Sequence, residues 1–273
     1  MEGPRRIDPR LQDRRIAIAK ARRRRALIAI ACVAALAAAA WAVAWSPLLR
    51  VRTVRVVGAR HTTSDDIARA ARLGPSTNIL VVSTADVAAA TEELPWVLAA
   101  DVARILPGTV RVKVVERKPA LVLTLDAGSW TIDDGGRVLQ RGMVADELPV
   151  LGGFDTRPPA PGDTLDDPIA VDALRVWRSL PKALEHEVRA IFAPTRERIT
   201  IVLVDGTQVR YGAAEDLAAK NRVLLALRER IGTGEDAPAY IDVRVPSSPA
   251  VSSEGVAPSP TPTASPSPTS TGQ

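Results

Sequence analysis

The sequence has few of the residues that usually carry redox, metal or nucleophilic chemistry. Its single cysteine, Cys32, excludes a disulfide within the chain, and it lies in an apolar stretch where a thiol is inert. The two histidines, His61 and His186, are far apart in sequence, so no Cys/His cluster has the spacing of metal ligands. We therefore predict no metal and no cofactor.

Motifs of catalysis are equally scarce. The chain shows no nucleophile–base pair and no phosphate-binding glycine loop. The run Asp133–Gly136 lacks the further oxygen ligands and the terminal glutamate of a calcium loop, so it predicts a tight turn. Carboxylates are numerous, and a glycosidase pair stays open on sequence grounds, although none stands out in a motif. We expect a protein that is not an enzyme.

Basic residues are concentrated at one end of the chain. The formal net charge is +5, but residues 1–25 contain ten Lys/Arg and three Asp/Glu, which leaves a net charge of −2 for the rest. A nucleic-acid-binding domain should place its basic residues on a folded face. This distribution therefore argues against nucleic acid as a partner.

A long apolar run follows the basic segment. Ala26–Trp45 contains 20 residues without a charge, enough to span about 30 Å as a helix. Arg and Lys in residues 20–25 favour the cytoplasmic side, and Trp41 and Trp45 suit the far interface. The pattern predicts a single-pass type II protein of the cytoplasmic membrane, with a basic cytoplasmic segment (1–25), a transmembrane helix (26–46) and the bulk outside.

Two other interpretations of this run are open. A cleavable signal peptide would use the small residues of Ala42–Ala44, but its apolar region is normally shorter. A lipoprotein would be modified at Cys32, but the apolar run continues well past that position. The uninterrupted length favours the membrane anchor.

The sequence after the apolar run predicts two α+β modules. Residues 47–118 predict the order strand, helix, helix, strand, strand, with Thr63 or Ser64 as a helix cap and Pro107-Gly108 as a turn. Residues 119–246 predict short strands, an amphipathic helix over 167–180 and a hairpin turn at Asp205-Gly206. A second helix should begin near residue 213, with Lys220 and Arg222 on its solvent side.

Several segments resemble one known family. The stretch Trp96–Ala120 is similar to part of the polypeptide-transport-associated (POTRA) domain of the FtsQ/DivIB family of bacterial cell-division proteins, in an actinobacterial-like form. "TIDDGGRVL", "LPVLGG", "VDGTQVRYG", "KNRVLLALRER" and "YIDVRVP" resemble that family's β domain, in its order. The resemblance covers roughly residues 20–250 and implies a POTRA domain at 47–118 followed by an FtsQ-type β domain at 119–246.

The resemblance also implies a function. It suggests a divisome scaffold at the division septum that links FtsL-like and FtsB/DivIC-like membrane proteins, and possibly the septal peptidoglycan synthase, and helps control septal peptidoglycan synthesis. The alternative is another single-pass POTRA protein that acts as a chaperone or secretion scaffold. No long series of membrane strands follows, which disfavours a β-barrel assembly factor.

The implied partner site lies at the last strand. An unpaired outer edge there would offer backbone groups to a partner strand, although the strand could instead be covered within the sheet. Lys220 and Arg222 are secondary partner candidates. The predicted partner-binding residues of the terminal strand are Tyr240, Ile241, Asp242, Val243, Arg244 and Val245.

A Ser/Thr/Pro-rich tail ends the sequence. From Pro246 onward, 19 of 28 residues are Pro, Ser or Thr, and Glu254 is the one charged residue. Such a composition cannot bury a core, so we predict disorder over 247–273.

Overall fold

The computed structural model describes residues 9–145, 147–231 and 237–253. The chain divides into two compact units. The N-terminal unit contains the residues up to Glu92 together with Ala99–Val115, and the C-terminal unit contains Glu93–Leu98 and the residues from Glu116 onward.

Helix α1, Pro9–Ala44, contains the apolar run and part of the basic segment before it. Its portion Arg22–Ala44 is long and apolar enough to cross a membrane, with a mean hydropathy of 2.5 and no burial against the protein. A helix whose apolar side chains lack protein contacts needs a hydrocarbon environment. This observation agrees with the predicted transmembrane helix; residues 1–8 of the predicted cytoplasmic segment lie outside the described residues.

The N-terminal unit has the predicted order of elements. Its strands and helices are β1 (Thr53–Val57), α2 (Ser64–Ala70), α3 (Thr84–Glu92), β2 (Val97–Ile105) and β3 (Thr109–Glu116), with residues 97–98 of β2 and Glu116 of β3 assigned to the C-terminal unit. The three strands form a sheet in the order β1-β3-β2, with β1 parallel to β3.

Local sequence signals account for these elements. Thr63 caps α2: its side chain accepts the backbone N–H of Asp66, whose carboxylate in turn accepts the backbone N–H of Thr63. This reciprocal capping box satisfies two donors that a helix start leaves unpaired. Alternate valines of β3, among them Val112, are buried, as are Ile67 of α2 and Val87 of α3. The period of two in β3 therefore positions one apolar face in the core.

The C-terminal unit is built on one sheet of nine strands. The order is β12-β11-β10-β9-β8-β7-β4-β5-β6. Strand β7 pairs in parallel with both β4 and β8, β11 is parallel to β10, and the remaining pairs are antiparallel. The strands are β4 (Pro119–Leu125), β5 (Gly128–Asp133), β6 (Val138–Arg141), β7 (Val150–Gly152), β8 (Val188–Thr195), β9 (Arg198–Leu203), β10 (Gln208–Gly212), β11 (Tyr240–Asp242) and β12 (Ala250–Ser252).

Three helices accompany this sheet: α4 (Pro168–Ser179), α5 (Lys182–Glu185) and α6 (Leu217–Ile231). Asp167 caps α4, because its carboxylate accepts the N–H groups of Ile169 and Ala170. One residue from each of seven neighbouring strands lies in a single row across the sheet, and all seven side chains are buried. That row is Trp130, Leu123, Leu151, Ile191, Ile201, Val209 and Ile241.

The predicted α+β class is confirmed, as are the helix over 167–180 and the Asp205-Gly206 turn. Two predictions about the end of the chain are wrong. The strand predicted to run to Val245 ends at Asp242, and part of the segment predicted as disordered forms β12. The rest of the predicted disordered tail, 254–273, lies outside the described residues.

Candidate partner-binding edge

The predicted terminal-strand residues split into a buried set and an exposed set. Ile241 and Val243 are fully buried in the core, and Tyr240 is half-buried. Arg244 and Val245 are exposed in the turn that follows β11. Arg244 and Val245 therefore lie outside the strand that was predicted to contain them, because the chain leaves the extended conformation after Asp242.

An ion pair within the chain ends β11. The Asp242 carboxylate accepts the backbone N–H of Arg244 at 3.0 Å and binds the Arg244 guanidinium through Nε at 3.0 Å and Nη2 at 2.6 Å. An aspartate that accepts the N–H two residues on favours a turn over a continued strand. Burial acts to raise the pKa of Asp242, but the hydrogen bonds from Arg244 outweigh it and the pKa is lowered.

Gly212, at the end of β10, makes room for this ion pair. It has a φ of +75°, and a Cβ there would lie 2.9 Å from Cγ of Arg244. Only glycine adopts this conformation without strain, and only glycine lets the arginine stem approach so closely. The turn after β11 is thus specified by Gly212, Asp242 and Arg244 together.

Strand β12 occupies the edge that β11 was predicted to expose. It pairs antiparallel with β11, with Tyr240 opposite Ser252, Ile241 opposite Val251 and Asp242 opposite Ala250. The prediction of an unpaired β11 edge is therefore wrong, and the sheet ends one strand later. A return of seven residues, 243–249, brings the chain back from β11 to β12.

The backbone directions in β11 identify the free groups of β12. Gln208 N–H donates to the Ala239 carbonyl at 3.0 Å and Val243 N–H donates to the Arg210 carbonyl at 3.1 Å, so the odd-numbered residues of β11 bond to β10. Backbone groups alternate along a strand, and Tyr240 and Asp242 therefore face β12. In the observed register the N–H and C=O of Val251 point away from the sheet.

The side chain of Val251 extends the buried row of the sheet. Val251 lies opposite Ile241, the last buried member, and 41% of it is exposed. On the other face, the Arg210 guanidinium lies 4.3 Å from the centre of the Tyr240 ring, within the range of a cation–π contact. The edge strand thus presents one free backbone pair and one exposed valine, and the Arg210–Tyr240 pair lies one to two strands further in.

Lys220 does not face solvent, and that prediction is wrong. The residue is only 4% exposed; its Nζ donates to the Ala213 carbonyl at 2.8 Å and lies 5.2 Å from the centre of the Tyr211 ring. Burial lowers the pKa of this ammonium group. Lys220 holds the start of α6 against β10, whereas Arg222 is exposed as predicted.

Two polar networks fix α6 relative to the sheet. The Tyr211 hydroxyl donates to Oδ1 of Asn221 at 3.0 Å, and Nδ2 of Asn221 donates to the Ser179 carbonyl at 2.6 Å. Arg228, only 6% exposed, binds Glu187 at 2.6 Å and Asp205 at 2.8 Å. Because buried polar groups must be paired, these contacts restrict α6 to one position.

Sequence reasoning missed β12 because prolines flank it on the N-terminal side and serines surround it. Pro249 is nevertheless consistent with the outer edge, since by the alternation in β12 its missing N–H would point away from the sheet.

Among the residues that the structure describes, no group of three or more His, Cys, Asp or Glu side chains could hold a metal ion.

Two family models match consecutive parts of the chain after α1. A model described as the FtsQ-type POTRA domain matches residues 49–117. A second model, described as the C-terminal region of the cell division protein FtsQ/DivIB, matches residues 122–244. The second match stops before β12, so the outermost strand lies beyond what the family model covers.

Curated relatives match over most of the chain. The cell division protein FtsQ of Anaeromyxobacter sp. (strain K) is 31% identical over 238 residues, which cover 82% of this chain and 81% of that protein. FtsQ of Streptomyces collinus is 32% identical over 240 residues, 85% of this chain and 89% of that protein.

A solved structure of the major extracytoplasmic domain of DivIB from Geobacillus stearothermophilus also matches, with 20% identity and a TM-score of 0.29, over 43% of this chain and 99% of that one. The TM-score is low, so this structure adds nothing to the assignment. The two domain models, together with relatives that are 31% and 32% identical over most of the chain, show that this protein belongs to the FtsQ/DivIB family of bacterial cell division proteins.

Proposed function

We propose that this protein is a single-pass, non-catalytic scaffold of the division septum, with its N-terminus in the cytoplasm and both folded units outside. It links FtsL-like and FtsB/DivIC-like membrane proteins and thereby helps control septal peptidoglycan synthesis. Family membership supports a role in division, and the charge asymmetry around α1 supports the orientation. A reporter enzyme that is active only outside the membrane, fused to the C-terminus, should be active.

We place the partner-binding site at the free edge of β12, where the backbone groups of Val251 point away from the sheet. A partner strand added there would pair with the N–H and C=O of Val251, and its own apolar side chain would continue the buried row past Val251. Arg244 and Val245, exposed in the adjoining return, would contact the same partner. Ile241, Val243 and Asp242 contribute by holding that edge in place.

The side chain of Val251 would supply specificity. A partner residue on the same face would lie beside Val251, and an apolar residue is favoured there because a polar one would be buried without a hydrogen bond. On the opposite face the partner would meet Ala250 and Ser252, because Tyr240 and Arg210 lie one and two strands further in. The partner strand should therefore place an apolar residue next to Val251.

The test compares two variants at one position. Val251→Pro removes the outward N–H, whereas Val251→Thr keeps it with nearly the same shape. Purified full-length protein would be titrated with the outer segment of the FtsB/DivIC-like protein of the same organism. Val251→Pro should weaken binding about tenfold, or about 1.4 kcal/mol, because the partner's carbonyl is left unpaired.

Folding must be intact for this comparison, and circular dichroism with thermal unfolding would establish it. A folded Val251→Pro variant that binds as well as Val251→Thr would remove β12 as the partner edge. In that case the exposed Arg222 and the N-terminal unit become the next surfaces to test.

A further inference from the structure

The end of the membrane helix is joined directly to the N-terminal unit. Asn78 donates from Nδ2 to the carbonyl of Ala44, the last residue of α1, at 2.6 Å. The Ile79 N–H donates to the Leu49 carbonyl and the Val51 N–H to the Thr77 carbonyl, each at 2.8 Å. The loop around Asn78 therefore lies where the helix leaves the membrane.

This loop turns two apolar side chains outward. Ile79 and Val82 are buried in the unit, whereas Leu80 and Val81 between them are exposed, Val81 by 69%. Hydrogen bonds fix the loop on both sides: Leu80 N–H donates to Oδ1 of Asn78, and Nη1 of Arg104 donates to the Leu80 carbonyl. The exposure thus belongs to a fixed turn.

Two further exposed leucines lie at the same end of the unit. Leu48 precedes β1, and Leu106 lies at the turn between β2 and β3. That turn contacts the segment after α1, because the Arg52 N–H donates to the Gly108 carbonyl at 2.8 Å. Leu48, Leu80, Val81 and Leu106 are together called the apolar patch.

Outside α1 and Trp45, which directly follows it, the other exposed large apolar residues of this unit's sheet are at the far end of its strands. Among the described residues these are Val57, at the end of β1, Leu98, near the start of β2, and Val115, near the end of β3. From Thr109 to Val115 the strand rises about 20 Å at 3.3 Å per residue. The apolar exposure is thus concentrated at the end of the unit that is bonded to the membrane helix.

Exposed arginines adjoin the apolar patch. Arg104 and Arg52 each donate to a backbone carbonyl, of Leu80 and Pro47 respectively, and Arg50 is exposed beside them. A guanidinium has five N–H donors, so one such bond leaves donors for phosphate oxygens. Apolar side chains at the acyl boundary with cationic groups at the phosphates are the pattern of an interfacial membrane contact.

We infer that the apolar patch is a second membrane contact, in which Leu48, Leu80, Val81 and Leu106 enter the headgroup–acyl boundary beside α1. The occupant is lipid, because Asn78 places the patch at the carbonyl end of a membrane-spanning helix. The contact would hold the N-terminal unit at the bilayer surface and limit its rotation about the anchor. It rests on α1 spanning a membrane and is independent of the partner edge.

The experiment uses the full chain in nanodiscs of phosphatidylcholine. In a Cys32→Ala background, Val81→Cys carries an environment-sensitive fluorophore, and Val115→Cys, which replaces a residue that is 50% exposed, is the matched control. The Val81 label should emit at shorter wavelength and be quenched by nitroxide-bearing lipid. The Val115 label should behave as in water.

A second pair of discs separates apolar insertion from charge attraction. Discs of phosphatidylcholine should already show quenching at position 81. Discs of phosphatidylcholine and phosphatidylglycerol in equal parts should show stronger quenching. Quenching that requires the anionic lipid would overturn apolar insertion. Equal spectra at positions 81 and 115 would overturn the membrane contact altogether and leave the patch to a protein partner, since the discs contain none.

Discussion

The two edges of the nine-stranded sheet are finished in different ways. At one edge, β6 is covered by the segment around Asp163: the Val138 N–H donates to the Asp163 carbonyl and the Gly162 N–H to the Val138 carbonyl, both at 2.8 Å. At the other edge, β12 has a strand on one side only. One edge is closed by the chain itself, and at the other the outward backbone groups of Val251 stay unpaired.

The difference shows how a sheet can be open without being prone to aggregation. The open edge is only three residues long, Pro249 removes a donor next to it, and the return before it contains a charged ion pair. Short length, proline and charge are the usual protections of an edge strand. The proposed partner strand would therefore have to match a short edge, where a β-strand of general sequence gains few hydrogen bonds.

The largest effect should come from breaking the closed edge. Val138→Pro removes a buried N–H that is bonded to Asp163 and should reduce the free energy of unfolding by about 3 kcal/mol or more. The same substitution at Val251, whose N–H points outward, should cost about 1 kcal/mol or less. Chemical unfolding of both variants would be compared, and equal losses would contradict the assigned difference between the edges.

A smaller effect is expected from the ion pair that ends β11. Asp242→Ala removes a charge-assisted pair and should cost about 1–2 kcal/mol locally, with faster amide exchange in β12. Asp101→Ala, at an exposed position of the N-terminal unit, serves as the control. Unchanged exchange at Ala250 and Ser252 in Asp242→Ala would mean that the ion pair does not hold β12 in place.

The same ion pair predicts a pH dependence. Because the pKa of Asp242 is lowered in the folded state, its contribution to stability is complete above the unfolded value of about 3.9 and is lost as the pH falls through the folded pKa. The ¹⁵N shift of Arg244 Nε should therefore stay constant from neutral pH to about pH 4 and change below it. Asp242→Asn should show no such transition, and a transition near neutral pH would contradict the assignment.

The smallest effects concern α6. Lys220→Met replaces one buried contact and should reduce stability by about 1 kcal/mol while partner binding stays unchanged. Arg222→Ala, at an exposed position, should change stability by less than about 0.5 kcal/mol. Calorimetric unfolding and the binding titration would be run on both variants. Weaker binding of a folded Lys220→Met variant would return this helix to the partner site.

The sequence predicted the regular parts of the fold for clear physical reasons. The cap at Thr63, the amphipathic helix over 167–180 and the turn at Asp205-Gly206 are local signals, and the structure agrees with each. The prediction of two outer domains with a junction at 118/119 stays to be tested with fragments.

The parts that failed depend on tertiary contacts. The sequence pattern predicts Lys220 on the solvent side of its helix, but in the fold Tyr211 and the Ala213 carbonyl enclose this side chain. Strand β12 has three residues and gains its order from pairing with β11, which local propensity cannot reveal. The end of β11 at Asp242 could not be predicted from the sequence, because it depends on the close approach of Arg244 to Gly212 in the fold.

Amide exchange at Val251 tests the open edge most directly. Full-length protein would be labelled with deuterium with and without a saturating amount of the FtsB/DivIC-like outer segment. Exchange of the Val251 N–H should slow by about tenfold or more on binding, because a free donor becomes a ladder hydrogen bond, while the already bonded Val138 stays unchanged. Equal exchange at Val251 with and without bound partner would show that no strand is added to β12.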